Sequence, residues 1–121
     1  MTAKKKSLKP LDHGKLLEEC DHEQSFADRC LRVFIRDTRT DMDAIIAALA
    51  GNDFPEIARL AHRIKGASAS IRAEFLREKA EHLENSALTR VSTPVYDGIA
   101  LLKIEFEHFS RYIAALPIDS E

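Results

Sequence analysis

Apolar residues recur along this chain at alternating steps of three and four, the spacing that lines one face of an α-helix. From Ser25 to Ala50 neither Gly nor Pro interrupts the pattern, and Leu31, Ile35, Thr38, Met42, Ile45 and Leu49 form one seam with Thr38 its single polar member. Phe26, Cys30, Val33, Phe34 and Ile46 widen that stripe, Ser25 with Asp28 fits a capping box, and Gly51 fits the left-handed residue that closes a helix. The spacing predicts one long helix over about 25–50. Asp53 is then a good N-cap and Pro55 suits a first turn, after which Ile57, Leu60, Ala61, Ile64, Ser68 and Ile71 share a face, predicting a helix over 54–71. Ala73, Leu76, Ala80, Leu83 and Ala87 predict another over 73–88, ended by the loop from Thr89 to Thr93. Thr93 and Pro94 open the most regular segment, in which Val95, Ile99, Leu102, Phe106, Phe109, Ile113 and Leu116 alternate strictly up to Pro117.

Ahead of these, Asp12 precedes Leu16 and Leu17 with Leu11 as a hydrophobic staple, so a short helix over 13–20 is expected. No strand-like alternation is present. The fold class is therefore all-α, an antiparallel four-helix bundle with a short additional N-terminal helix. Lys4, Lys5, Lys6 and Lys9 mark residues 1–10 as a flexible lysine-rich tail, leaving 11–117 for the bundle and 118–121 for a C-terminal tail.

Composition narrows the function. Eighteen Lys and Arg against 20 Asp and Glu give a net charge of −2 over 121 residues, so no chain-wide basic field draws nucleic acid or acidic membrane. No apolar run approaches the roughly 18 residues of a spanning helix, and the start MTAKKKS lacks a signal peptide's apolar stretch, so a cytoplasmic location is expected. Cys20 and Cys30 have neither the count nor the spacing of a disulfide framework or zinc site, and both are expected as reduced thiols. His13, His22, His82 and His108 have no spacing that singles out a metal site. Glu78, Glu81, Glu84, Glu105 and Glu107 read as solvated faces with some i to i+4 pairing.

The chemical anomaly lies in Ala61-His62-Arg63-Ile64-Lys65-Gly66-Ala67-Ser68-Ala69. At about 100° per residue, His62 lies roughly 150° from the centre of the apolar arc, so it faces outward. Ala58 and Arg59 sit one turn before it, Lys65 and Gly66 one turn after, and Ala69 beyond. A helix-interior glycine costs about 1 kcal/mol relative to Ala. Gly66 points away from the core, so its missing side chain clears space beside the imidazole, as do the small Ala58 and Ala69. Imidazole titrates near pH 6.5, about neutrality, so one ring nitrogen keeps a lone pair and can act as a nucleophile. Lys65 could approach an added phosphoryl charge, with Arg59 and Arg63 at the margin. A complete kinase is not supported, because the sequence has no Gly-rich phosphate loop and no acidic pair near His62 suited to magnesium.

The run Ala61-His62-x-Ile64-Lys65-Gly66-Ala67-Ser68 resembles the A-H-x-L-K-G-small-small pattern of the histidine-containing phosphotransfer (HPt) domain of bacterial and fungal multistep phosphorelays. Ile71, Ala73-Glu74, Leu76 and Leu83-Glu84 follow in keeping, and Phe34 and the stretch from Ala47 to Asp53 precede it, so the likeness spans about residues 11–116. It implies that His62 accepts and donates phosphoryl through Nε2, relaying it to and from aspartates of response-regulator receiver domains. Lys65 would assist the phosphate charge, and Gly66 would leave room for the receiver. The basic rim of Arg59, Arg63 and Lys65 would complement the receiver's acidic pocket, with Ala58 and Ala69 beside it. The likeness further implies a monomer without a cofactor of its own, Mg2+ belonging to the receiver, and a hybrid histidine kinase as a further partner. Arg72 departs from the family, in which many members have glycine ten residues after the histidine. It reads as a solvated helix end that complements the C-terminal dipole. Two other functions compete: an adaptor that docks receivers without being phosphorylated, and the dimerisation and phosphoacceptor domain of a sensor kinase. Against the second, Arg63 follows His62 where such kinases resemble H-[ED]-x-[RKN].

Overall fold

The computed structural model describes residues 9–116, which form five α-helices and, among the described residues, no strand. They are α1 (His13–Glu19), α2 (Gln24–Ala50), α3 (Phe54–Ser70), α4 (Glu74–Leu88) and α5 (Ser92–Ala115). Short turns join them, so consecutive long helices run antiparallel, with α3 against both α2 and α4, α4 against α5, and α1 against α2. The circuit closes where Phe34 of α2 meets Phe109 of α5 edge to face, ring centroids 5.4 Å apart. Of the expected tail over 1–10 only Lys9 and Pro10 lie among the described residues, and Pro10 is buried; the expected tail over 118–121 lies outside them.

The core consists of the seams that periodicity predicts. Leu31, Ile45, Ile57, Leu60, Ile64, Leu76, Leu83, Val95, Leu102 and Phe109 are all fully buried. The stripe on α2 is narrower than its sequence suggests. Phe26, Val33 and Ile46 are exposed and Ile35 and Leu49 half-buried, because α2 presents only one arc to its neighbours. On α5, Gly98 is buried against α4. A Cβ there would stand 3.1 Å from Leu83 Cδ1 and 3.3 Å from Leu83 Cα, so the absent side chain is what lets the two helices approach.

Helix ends depart from expectation in instructive ways. Asp12 and Asp53 cap α1 and α3 as read, accepting from the backbone N–H of Lys15 and Glu56 at 3.2 Å each. The Ser25–Asp28 capping box does not form. Glu23 is the N-cap without a side-chain bond, and the fully buried Asp28 accepts instead from the Gln24 amide. Gly51 is not the left-handed residue either: its φ is −100°, while Asn52 has φ 52°. The reason is the closing hydrogen bonds, Asn52 N–H to Leu49 O and Asp53 N–H to Ala48 O, which place the left-handed turn one residue later. Asn tolerates that conformation.

The same motif ends α3, where Arg72 N–H bonds Ala69 O and Ala73 N–H bonds Ser68 O. Arg72 is left-handed at φ 68°, which explains the usual glycine at this place in the resembled pattern. Its guanidinium pairs with Glu19 of α1, and its carbonyl accepts from Asp12 N–H, so this helix end anchors the leading helix.

Arg72→Gly and Arg72→Ala both remove the Glu19 pair, but only glycine relieves the left-handed backbone, so urea denaturation is expected to find Arg72→Gly the more stable by about 1 kcal/mol. Ile64→Asp buries a charge in the α3 seam and is expected to abolish the cooperative thermal transition seen by circular dichroism.

Candidate functional site

Helix α3 lies between α2 and α4 and buries Ile57, Leu60, Ala61, Ile64 and Ser68. That arc turns His62 to solvent, with 66% of its side chain exposed. Its Nδ1 is 2.9 Å from Oε2 of Glu84 on α4. A carboxylate only accepts, so Nδ1 carries the hydrogen and donates it, which leaves the lone pair on Nε2. The other carboxylate oxygen, Oε1, lies 2.8 Å from Lys65 Nζ. One carboxylate thus holds both the imidazole and the ammonium.

Glu84 is the residue the sequence reading misses. Expected on a solvated face, its side chain is only 17% exposed and it bridges two helices. Burial pushes its carboxyl up, but the hydrogen bonds and charges of Lys65 and His62 outweigh this and hold it below the ordinary carboxylate value. The available signal was positional: Glu84 follows the seam residue Leu83 as Lys65 follows Ile64, which puts both at the margin of a buried stripe. Only the pairing of α3 with α4 makes the two margins face each other.

Gly66 is exposed, and a Cβ added there would meet nothing within 4 Å. No packing among the described residues accounts for this glycine, in contrast to Gly98. Ala67, Ala69 and Ser70 are also exposed, so the outer face of α3 beyond His62 is low and nearly free of side-chain relief. Ala58 does not belong to that face. It is 7% exposed and part of the core, because position 58 falls on the same side of α3 as Lys65, where α4 covers it.

The cations around His62 are each compensated within the chain. Arg59 binds Glu56 through Nε and an Nη at 2.8 and 2.6 Å. Arg63 turns the other way, toward α2, and binds the largely buried Asp41 with both oxygens at 3.1 and 2.6 Å. Lys65 has Glu84. The basic rim that the resemblance implies is therefore a set of acid–base pairs. Of the residues expected to act together, His62, Lys65 and Gly66 share one patch with Ala69 and Arg59, while Arg63 sits at its far edge.

Comparison with known proteins places the chain and its fold. A family model described as the Hpt domain matches residues 29–111. Among solved structures, histidine-containing phosphotransfer protein B (HptB) from Pseudomonas aeruginosa PAO1 superposes with a TM-score of 0.81, at 23% identity over 89% of this chain and 94% of that one. None of the curated proteins compared matches this sequence.

Ionised Glu84 is favoured by the fold, so its contribution to stability is complete above its ordinary value of 4.5 and disappears as pH falls through its lowered folded value. Glu84→Gln removes this titration. Denaturation of both proteins across a pH series is expected to show the wild type ahead at neutrality and its lead shrinking below about pH 4.5.

Proposed function

Because the chain belongs to the Hpt domain family, whose members pass phosphoryl groups to response-regulator receiver domains, we propose that His62 is the residue through which it does so. The observation that carries the assignment is the bridging carboxylate of Glu84, which supports one tautomer and presents the basic Nε2 to solvent. The chain is a histidine phosphotransfer module of phosphorelays, and the remaining question is how its residues share the work.

In the proposed transfer, Nε2 attacks the phosphorus of a receiver's aspartyl phosphate. The N–P bond forms as the acyl O–P bond breaks, and the aspartate leaves as a carboxylate. The imidazole ring gains positive character as its lone pair is donated, and Glu84, hydrogen-bonded at Nδ1, opposes that charge at short range. Lys65 lies beside the same carboxylate and supplies a positive point charge for the incoming phosphoryl oxygens. The reverse attack, by a receiver aspartate on the phosphohistidine, returns the ring to its starting form. Gly66 with Ala69 leaves the surface low enough for the receiver's active-site cleft to reach Nε2. Arg59 and Arg63, held by Glu56 and Asp41, contribute fixed dipolar pairs at the rim. No cofactor of this chain is required, and the Mg2+ that assists belongs to the receiver. The protein acts as a cytoplasmic monomer, with a hybrid histidine kinase as a further partner. No helix among the described residues is long and apolar enough to cross a membrane.

Incubation with phosphorylated receiver domains is expected to leave acid-labile, alkali-stable phosphate on the wild type and none on His62→Gln, whose thermal unfolding stays nearly unchanged because the side chain is outward. Label on both proteins would move the site to another histidine, and label on neither would favour the non-phosphorylated adaptor. Gly66→Ala is expected to raise stability by about 0.5–1 kcal/mol, whereas Gly66→Gln is expected to slow transfer without unfolding the chain, both read from the same preparations.

A further inference from the structure

The cations beside His62 are compensated, but several on the far flank of α2 are not. Arg29, Arg32, Arg36 and Arg39 recur at steps of three and four along α2, which contains no lysine, and so form one ridge about 15 Å long. All four are exposed, and the last three line a groove of about 450 Å³ with Ile35, Thr40 and Asp43. Asp41, which holds Arg63 of α3, lies nine residues from Arg32 and therefore about 180° round the helix. The ridge is thus turned away from α3 and from His62. Arg39 sits over the Phe106 ring of α5, 5.2 Å from its centroid. On α5, Gly98 faces α4, and Lys103, about 140° further round, falls on the side of α2. Arg29, Arg39 and Lys103 have no carboxylate partner among the described residues, and the Arg36–Asp37 pair at 3.1 Å lies open to solvent. Two turns from Arg39 on the same face is Ile46, and two turns from Lys103 is Tyr96, respectively 45% and 54% exposed.

We propose that this flank of α2 and α5 is a second docking surface, and that its occupant is an acidic amphipathic helix of a partner protein. Arginine presents a planar fork that takes a carboxylate through two parallel hydrogen bonds, which lysine does not. Carboxylates three and four residues apart on a facing helix repeat at the spacing of the ridge. Arginine and tyrosine are also the side chains that most often anchor protein interfaces. A nucleic-acid backbone fits less well, because Asp37, Asp43 and Glu107 are interspersed among the cations and would repel a continuous run of phosphates. A helix can answer those three with lysines of its own, and they then fix its register. A small free anion would engage one or two arginines and leave the length of the ridge unused. Since the ridge faces away from His62, a partner held here leaves that histidine open. The proposal involves no phosphoryl transfer and stands apart from the assignment of His62.

The probe is a fluorescein-labelled synthetic helix of about four turns, with glutamates recurring at steps of three and four beside leucines. It is titrated into the full chain and followed by anisotropy. The expected result is saturable binding that weakens at least about tenfold between roughly 50 and 300 mM salt. Amide resonances of Arg32, Ile35, Arg36, Arg39 and Lys103 are expected to shift, and that of His62 to stay in place. Arg36→Glu is expected to weaken binding at least about tenfold, whereas Lys15→Glu, the same change of charge on α1, leaves it within about twofold. Arg29→Glu repeats the loss at the other end of the ridge, and thermal melts read by circular dichroism show that each exposed substitution leaves the bundle folded. Equal binding of a peptide with glutamine in place of glutamate, or tighter binding of a single-stranded oligonucleotide, would overturn the acidic helix as occupant. An absence of saturable binding, undiminished binding by both charge reversals, or shifts confined to α3 would overturn the surface.

Discussion

Everything at the surface of α3 depends on how its interior arc is filled. Ile57, Leu60, Ala61 and Ile64 are pressed between α2 and α4, and a helix has only one rotation about its axis that buries all four. That rotation sends His62 outward, aims Lys65 at α4 and turns Arg63 to α2. The imidazole is thus oriented by residues that never touch it. A slip of one residue in the packing of α3 would carry the imidazole by about 100° around the axis, away from Glu84.

Electrostatically the site is more balanced than a string of cations on one helix implies. Glu56, Asp41 and Glu84 come from three different elements and each meets one of the basic side chains. Of these only Glu84 is shared with the imidazole, so it is the pair in which charge and chemistry meet. In the proposed transfer Lys65 faces two anionic demands at once, its attraction to the incoming phosphoryl group being set against an existing ion pair. Under that proposal the competition would keep the bound state from becoming so favourable that the group cannot leave, as a carrier requires.

Much of this was legible in the sequence because it follows from single-helix periodicity. The four long seams, the outward angle of His62 and the oddity of Gly66 need only the geometry of one helix. What was not legible depends on two elements at once. Glu84 looks like Glu81 until α3 and α4 are aligned, and Ala58 looks exposed until α4 covers its side of the helix. Helix ends failed for another reason. Glycine favours the left-handed turn, but the backbone hydrogen bonds choose the residue, and they chose Asn52 and Arg72.

The contact between Gly98 and Leu83 links the site to the far side of the bundle. Leu83 immediately precedes Glu84, so the bare backbone of α5 that seats Leu83 also sets the depth at which the next side chain emerges. The imidazole takes its bearing from the carboxylate, the carboxylate from α4, and α4 from a glycine on a helix that contributes no polar atom to the chemistry. The candidate site is in this sense three helices deep, with its foundation laid where a surface inspection of His62 would never look.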